Sequence, residues 1–199
     1  MKSRAMRSTV GGLLSVLVLF AGCSDDDSND WQRLVCDVQS VNEGLPLISA
    51  YLNAGADNLI GTADDYQPID SVMVIFHARP YGSTIVLPED GAFSWFQVET
   101  YDLYWETDPG APVDLTPYNV MGGNADAMVP VYEEAAASIL VVGTDMKSAA
   151  WFVDLYNGVT PSFQADARLV FHGHESGSDE EVSLEAGLRV SFIPVVSEN

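Results

Sequence analysis

The stretch that decides the fold is a pair of segments near residue 170, FQADARLVF (163–171) and VSLEAGLRVSF (182–192). In each segment apolar residues occupy every second position, starting at Phe163 in the first and at Val182 in the second. A period of two with polar residues in between is typical of antiparallel strands that have one face in solvent. Because a polar segment with two glycines separates them, the two strands are predicted to form a β-hairpin.

The alternation also predicts how the strands of this hairpin pair. A register that keeps apolar residues opposite apolar ones keeps the charged residues opposite each other as well. Shifts by two residues preserve the faces and change only the partners. The predicted pairs are Leu169 with Leu184, Phe171 with Val182, Arg168 with Glu185 and His172 with Glu181.

Further strands are indicated by alternating or continuously apolar runs. These runs are CDVQSV (36–41), PLISAYL (46–52), DSVMVIFHA (70–78), WFQVETYDLYW (95–105) and ASILVVG (137–143). The apolar phase of the fourth run slips near Thr100, which predicts a β-bulge. Helical periodicity is scarce: AWFVDLY (150–156) fits a strand or a short helix, and YEEAAA (132–137) is the best local helix signal.

Eight or nine short strands separated by turn signals predict an all-β fold, an antiparallel β-sandwich that forms a single domain over residues 34–199. The strand count and the final hairpin resemble an immunoglobulin-like or related Greek-key sandwich. The Cys…Trp…Cys pattern of antibody domains is absent, so the resemblance concerns architecture only. A closed β-barrel is the alternative.

The composition is strongly acidic, with 29 Asp and Glu against 8 Lys and Arg. This charge argues against binding to nucleic acid and against direct contact with anionic lipid, since both need a basic face. It is compatible with cation binding, a cationic partner or a saline habitat. Of the two cysteines, Cys36 lies in an apolar strand and is predicted to be a small buried hydrophobic residue.

The N-terminal segment has the three parts of a secretory leader. It begins with three basic residues, continues with the apolar run 10–21 and ends in small residues before Cys23. The apolar run is too short to span a bilayer as a helix. We therefore predict a signal peptide at residues 1–22, and the residues around Cys23 indicate that it is of the lipoprotein type.

The segment LFAGC (19–23) closely resembles a bacterial lipobox, in which the final cysteine is lipidated and becomes the first residue. The resemblance implies that Cys23 carries two or three acyl chains. Each buried CH₂ group of such a chain contributes about 0.8 kcal/mol to membrane binding, so several long chains together form a lasting anchor.

Residues 23–33 are predicted to be an acidic, solvated tether. Without the leader, five basic residues face 29 acidic ones, a formal net charge of −24. Ser24, in place of an aspartate, favours the outer membrane in the lipoprotein sorting pattern; orientation towards the periplasm or the cell surface stays open.

A candidate ion site lies in NAGADNLIGTADDYQPID (53–70). Carboxylate and amide oxygens in a glycine-containing loop suit Ca²⁺. Its centre, ADNLIGTADD (56–65), resembles the D-G-x-x-G-T-x-D-D segments of secreted bacterial proteins that look like calcium loops, with Asn58 in place of the usual glycine. The resemblance implies Ca²⁺ ligands at Asp57, Asp64 and Asp65, and the amide of Asn58 is a candidate neutral oxygen donor. Calcium sites of extracellular modules have affinities on the order of 10⁻⁴ to 10⁻³ M, and we expect the same range here. The alternative is a solvated acidic connection whose Asp and Asn residues make turns.

Two other groups of residues are candidates for binding. Trp95, Tyr101, Tyr104 and Trp105 crowd one predicted strand, where exposed rings could stack on sugars; the alternative is that these rings fill the sandwich core. On another strand, His172 and His174 are two residues apart and share a face, which could hold a metal ion from one side. The alternative is that they flank a hairpin loop in solvent.

No G-x-S-x-G, Walker, dinucleotide-binding or C-x-x-C motif occurs, so we do not expect an enzyme. The prediction is a lipid-anchored β-sandwich protein of the bacterial cell envelope with a structural or protein-interaction role, stabilised by calcium. Its partners would be the membrane, through Cys23, and an envelope or surface protein. A carbohydrate-binding surface lipoprotein and an envelope hydrolase are the alternatives.

Overall fold

The computed structural model describes residues 33–82, 94–178 and 180–197. The predicted leader, Cys23 and the tether up to residue 32 lie outside the described residues. Within them the chain forms eight strands, two short α-helices and two 3-10 turns, at Asn42–Gly44 and Thr116–Tyr118. The elements are β1 (Leu34–Val41), β2 (Leu47–Asn53), β3 (Asp70–Pro80), β4 (Trp95–Glu106), β5 (Val120–Pro130), β6 (Glu134–Val142), α1 (Thr144–Lys147), α2 (Ala150–Tyr156), β7 (Phe163–Glu175) and β8 (Glu181–Val196).

The strands form two sheets that pack face to face. The small sheet has the order β1-β3-β6 and the large sheet has the order β2-β8-β7-β4-β5. Strand pairs are antiparallel except β2 and β8, which run parallel. Strands β1, β3 and β6 of the small sheet face β4, β7 and β8 of the large sheet. Leaving out the edge strands β2 and β5, these six strands have the places of strands A, B and E and of strands C, F and G in an immunoglobulin-like sandwich. The predicted all-β sandwich of Greek-key order is therefore confirmed.

The sandwich is open along its sides. Among the described residues, ladder pairing ends at β1 and β6 in the small sheet and at β2 and β5 in the large sheet. An isolated bridge between Ala78 and Val131, the residue after β5, joins the small sheet to this edge of the large sheet. Without a continuous ladder between the sheets, the described residues form an open sandwich and not the closed barrel considered as the alternative.

Aromatic side chains from both sheets fill the core between them. Phe76 of β3 meets Phe171 of β7 edge to face, with ring centroids 5.0 Å apart. At one end of the sandwich, α2 adds Trp151 and Phe152, whose rings stack at 4.6 Å, and both pack against Phe192 of β8. Aromatic pairs of this kind add about 0.5–1.5 kcal/mol each beyond the area they bury.

The predicted hairpin is present as β7 and β8, but its register differs from the prediction by two residues. Leu169 pairs with Ala186 and Phe171 with Leu184, not with Leu184 and Val182. The cause is that β7 continues to Glu175, which shortens the connection to residues 176–180. The charged pairs predicted as direct neighbours still meet diagonally: Arg168 Nη1 lies 3.4 Å from Glu185 Oε1, and His172 Nδ1 lies 2.9 Å from Glu181 Oε1.

Local predictions outside the hairpin had mixed outcomes. The bulge near Thr100 is confirmed, since the pairing of β4 with both β5 and β7 shifts between Val98 and Thr100. The ambiguous segment AWFVDLY forms the helix α2. The helix signal in YEEAAA was wrong, because residues from Glu134 onward belong to β6. There Ala135 and Ala137 follow the alternation that Ile139 continues into the core, and the sheet overrides the helix propensity of alanine.

The strand directions define two ends of the domain. The start of β1 and of β4 and the β7–β8 connection lie at one end, which we call the tether end because the chain enters it at Arg33. The loop between β2 and β3, the helices α1 and α2 and the end of β8 lie at the other, which we call the far end. With sixteen residues, β8 spans about 50 Å between them.

Two glycines on neighbouring strands provide a test of the packing. A Cβ on Gly173 would collide with the carbonyl of Gln97 and the ring of Phe96, whereas a Cβ on Gly187 meets nothing within 4 Å. We expect Gly173→Ala to lower the free energy of unfolding by about 1–3 kcal/mol, the usual cost of overpacking. We expect Gly187→Ala to leave it unchanged or raise it by up to about 1 kcal/mol, because glycine weakens a strand relative to alanine.

Urea denaturation of both variants measures the difference. Equal stabilities for the two variants would show that β7 does not pass β4 as closely as described.

Candidate functional site

The loop between β2 and β3, residues 54–69, is closed at its base by Asn53 and Tyr66. The two residues exchange backbone hydrogen bonds of 2.8 and 3.1 Å, and Asn53 Nδ2 lies 2.8 Å from the Tyr66 hydroxyl oxygen. The amide oxygen of Asn53 accepts the N–H of Gly55 at 3.0 Å. The backbone and side chain of Asn53 therefore both form hydrogen bonds that hold the loop together. We call residues 54–69 the far-end loop.

Three of the predicted calcium ligands meet at one hydroxyl in this loop. Thr62 Oγ1 lies 3.3 Å from Asp57 Oδ1, 2.7 Å from Asp64 Oδ1 and 3.4 Å from Asp65 Oδ1. A hydroxyl donates one proton, so it can satisfy only one of these carboxylates at a time. The hydrogen bond from Thr62 is also the main cause that lowers the pKa of Asp64 below its usual range. The sequence from 53 to 70 contains no Lys, Arg or His.

The backbone of the far-end loop explains two of its residues. Gly55 has a φ of +62°, and a Cβ at this position would collide with the carboxylate of Asp64. Asn58 has a φ of +57°, in the left-handed region that asparagine tolerates better than most residues. Asn58 therefore stands where the resembling segments have glycine because the backbone there requires a residue that accepts a positive φ.

The carboxylates also bind the backbone of the loop. Asp64 Oδ2 accepts the N–H of Ala56 at 2.9 Å, Asp57 Oδ1 accepts that of Leu59 at 2.8 Å, and Asp65 Oδ2 accepts that of Gly61 at 2.6 Å. Across the residues that the structure describes, no group of three or more His, Cys, Asp or Glu side chains is arranged to hold a metal ion. The calcium ligands thus stay a prediction.

The aromatic residues of β4 lie on opposite faces of the sheet. Tyr101 and Trp105 are buried in the core. The Tyr101 hydroxyl donates to the carbonyl of Leu140 at 2.7 Å, and Trp105 Nε1 donates to that of Tyr118 at 3.2 Å. The prediction that these two rings belong to an exposed sugar-stacking row was wrong, because the alternation of β4 turns them inward.

The other two predicted rings, Trp95 and Tyr104, are partly exposed on the outer face of the large sheet. Arg168 lies over the Tyr104 ring at 4.6 Å. The ring face that a sugar would use is therefore shared with a guanidinium group.

A polar network joins three strands on this outer face. His172 of β7 lies between two carboxylates, with Nε2 3.2 Å from Asp102 Oδ2 on β4 and Nδ1 2.9 Å from Glu181 Oε1 on β8. Asp102 also accepts the N–H of Gly122 at 2.8 Å and the hydroxyl of Tyr104 at 3.1 Å. Burial alone would raise the pKa of Asp102, but these hydrogen bonds outweigh it and lower the pKa below its usual range.

The network resembles a serine–histidine–aspartate arrangement only in part. Ser183 Oγ lies 3.4 Å from His172 Nδ1, but Glu181 is closer to the same nitrogen. A nitrogen that faces a carboxylate is not free to accept the serine proton, so this arrangement lacks the general base that hydrolysis requires. His174 has a different partner from His172: its Nδ1 lies 3.7 Å from Glu99 Oε1.

A buried ionic cluster that the sequence did not predict joins both sheets at the far end. The ammonium of Lys147 lies 2.8 Å from Asp70 Oδ2 on β3 and 2.9 Å from Ser49 Oγ on β2, and it donates to the carbonyl of Ala50. Ser49 in turn donates to the same Asp70 oxygen at 2.6 Å. The side chains of Lys147 and Asp70 are 0 % and 9 % exposed, and burial lowers the pKa of Lys147 although Asp70 opposes this shift.

One signal in the sequence pointed to this cluster. Lys147 is the only lysine after Lys2, and it follows the apolar run of β6 by a few residues. Its partner could not be identified, because Asp70 reads as one more carboxylate of the acidic loop. The fold separates Asp70 from the other loop carboxylates by making it the first residue of β3.

At the tether end, Glu175 binds the residues at which the chain enters the sandwich, a contact that we call the Glu175 clamp. The buried carboxylate of Glu175 accepts the backbone N–H groups of Arg33 at 2.8 Å and Leu34 at 3.1 Å, and the Arg33 side chain at 2.7 Å. Arg33 also donates to the carbonyl of Ser176 at 2.8 Å. The last residue before β1 is therefore bound to the β7–β8 connection.

Cys36 is buried, as predicted, and burial together with the neighbouring charge of Asp37 raises the pKa of its thiol to about 12.

No helix within residues 33–82, 94–178 and 180–197 is long and apolar enough to cross a membrane. No family model matches the chain, and no curated protein is significantly similar to it in sequence.

The hydrogen bonds that lower the pKa of Asp102 predict a pH dependence of stability. A carboxyl group with a folded-state pKa below its unfolded value of 3.8 stabilises the fold above that value, and this contribution is lost as the pH falls through the folded-state pKa. We therefore expect Asp102→Asn to be less stable than wild type at pH 7, with a difference that shrinks below pH 4 (about the unfolded pKa). Urea denaturation across this range measures it, and a constant difference at all pH values would contradict it.

Proposed function

We propose that this chain is a lipid-anchored protein of the bacterial cell envelope, held at the membrane through Cys23, with a structural or protein-interaction role. The observation that carries the proposal is the lipobox-like LFAGC after a secretory leader. The outer membrane is the proposed location, since Ser24 follows the cysteine. Neither the sequence nor the arrangement of side chains offers a recognisable catalytic set among the described residues, which favours binding over chemistry.

The geometry of the tether end supports this proposal. Because Glu175 binds the backbone of Arg33 and Leu34, a short tether from Cys23 leads directly to that end of the sandwich. The far end then lies about 50 Å further from the anchor, along the length of β8. The far end is therefore the part of the domain that can lie furthest from the proposed anchor.

The far-end loop offers a surface for a partner. Leu59 and Ile60 are 61 % and 57 % exposed at its tip, and Ile69 is exposed where the loop ends. Exposed apolar side chains that cluster are more often contact sites than isolated ones. The carboxylates that surround this tip favour a partner with basic residues around an apolar contact.

Calcium is proposed as the ion that stabilises this loop. Asp57, Asp64 and Asp65 share one hydroxyl proton and have no basic side chain in their own segment. A Ca²⁺ ion would neutralise this charge with oxygen ligands of the kind that it prefers. Since the loop leads from β2 to β3, ordering it would stabilise both sheets at the far end.

The anchor can be tested in a bacterial host by cell fractionation and labelling with palmitate. We expect wild type to be labelled and to sediment with the membranes, and Cys23→Ser to be unlabelled and released. Cys36→Ser is the matched control and should behave like wild type in both assays. A Cys23→Ser protein that stays in the membrane fraction would contradict the anchor.

The calcium site can be tested by thermal unfolding in EDTA and in about 5 mM CaCl₂ at fixed ionic strength. With an affinity on the order of 10⁻⁴ to 10⁻³ M, binding adds about 1–2 kcal/mol, which raises the midpoint by roughly 2–8 °C for a chain of this size.

Two double variants control for charge. Asp64→Ala/Asp65→Ala should abolish the shift, whereas Glu133→Ala/Glu134→Ala, which removes two exposed charges elsewhere, should keep it. A full shift in the first variant, or none in wild type, would rule the proposed ligands out.

A further inference from the structure

The contacts of Lys147 bring an amine and a carboxyl group together in the interior. Nζ lies 2.8 Å from Asp70 Oδ2, with side chains that are 0 % and 9 % exposed. We propose that Lys147 and Asp70 become joined by a covalent amide bond between Nζ and the side-chain carbon Cγ, a cross-link that requires neither a metal nor an oxidant.

The surroundings of the pair act against the charged form of the amine. The ring of Phe152 lies 4.7 Å from Nζ, and the ammonium and the carboxylate are both withdrawn from water. Removing two charges from water is costly, and a proton passed from the ammonium to the carboxylate removes both at once. Burial lowers the pKa of Lys147 in the direction that this transfer requires.

The step balances without a further reactant. After the proton transfer, the neutral amine attacks Cγ, the Nζ–Cγ bond forms, and the bond from Cγ to one carboxyl oxygen breaks. That oxygen leaves as water, with the transferred proton and a second proton from the amine, and no oxidation state changes. Ser49 donates to Asp70 Oδ2 at 2.6 Å and is placed to stabilise negative charge on the oxygen during the attack. The remaining N–H of the amide keeps the carbonyl of Ala50 as its acceptor.

The product would close the far end permanently. It joins the first residue of β3 to the last residue of α1 across a long stretch of chain. Cross-links over long loops stabilise proteins chiefly by restricting the unfolded chain. Cys36 is the one cysteine of the described residues and is unpaired there, so this amide would take the place that a disulfide has in other extracytoplasmic domains.

Tryptic digestion of the denatured full-length protein, followed by mass spectrometry, tests the proposal. Trypsin does not cut Arg79–Pro80, so an unlinked chain yields the fragment from Leu34 to Lys147. A linked lysine is not a cleavage site, and the fragment should instead run from Leu34 to Arg168 and be lighter by one water, about 18 Da.

The control is Lys147→Arg, which keeps the charge and the cleavage site but has a guanidinium in place of the amine. We expect cleavage after residue 147 in this variant and no loss of mass. Wild-type protein that is cut after Lys147, with the full mass of the fragment, would overturn the proposal whatever the variant does.

Discussion

The contact of Lys147 with Asp70, Ser49 and Ala50 is the constraint on which the far end of this sandwich depends. It is the point at which a strand of the large sheet, a strand of the small sheet and a helix meet through polar groups. A buried ammonium has three protons, and here three acceptors surround it. While the two groups form an ion pair, leaving either charge without its partner would cost about 3–5 kcal/mol. The proposed amide would hold the same groups covalently, so in either state β2 and the start of β3 cannot move apart independently.

The far-end loop starts and ends close to this contact, and Asn53 and Tyr66 close its base. Its carboxylates are kept close to each other, in spite of their charge, by the Thr62 hydroxyl and by backbone N–H groups of the loop. At the opposite end, the Glu175 clamp holds the start of β1. The domain is thus fixed at both ends, with a charged loop at one and the entry of the chain at Arg33 at the other.

The sequence predicted those features that depend on local periodicity. Alternation in Phe163–Phe171 identified the hairpin, and the phase slip at Thr100 identified the bulge. The register differed by two residues because alternation is unchanged by such a shift, and because β7 continues to Glu175, beyond the alternating segment. YEEAAA was misassigned because alanine favours a helix locally, while pairing with β3 is a long-range interaction.

The sequence alone indicates which residues make up the candidate site, but not which of them contact each other. The acidic loop is visible in the sequence, but the meeting of its carboxylates at Thr62 depends on turns at Gly55 and Asn58. The pairing of Lys147 with Asp70 links residues far apart in the chain, and no local pattern encodes it. Tyr101 and Trp105 could not be separated from exposed rings because aromatic residues occur on both faces of β4.

Native-state hydrogen exchange of Lys147→Met tests the central claim most directly, since methionine fills a similar volume without the charge. If Lys147 joins the two sheets, amides at the end of β2, at the start of β3 and in α1 should lose protection together. Amides of β7 and β8 next to their connection at the tether end should keep theirs. Protection unchanged from wild type, or a loss confined to α1, would contradict the account.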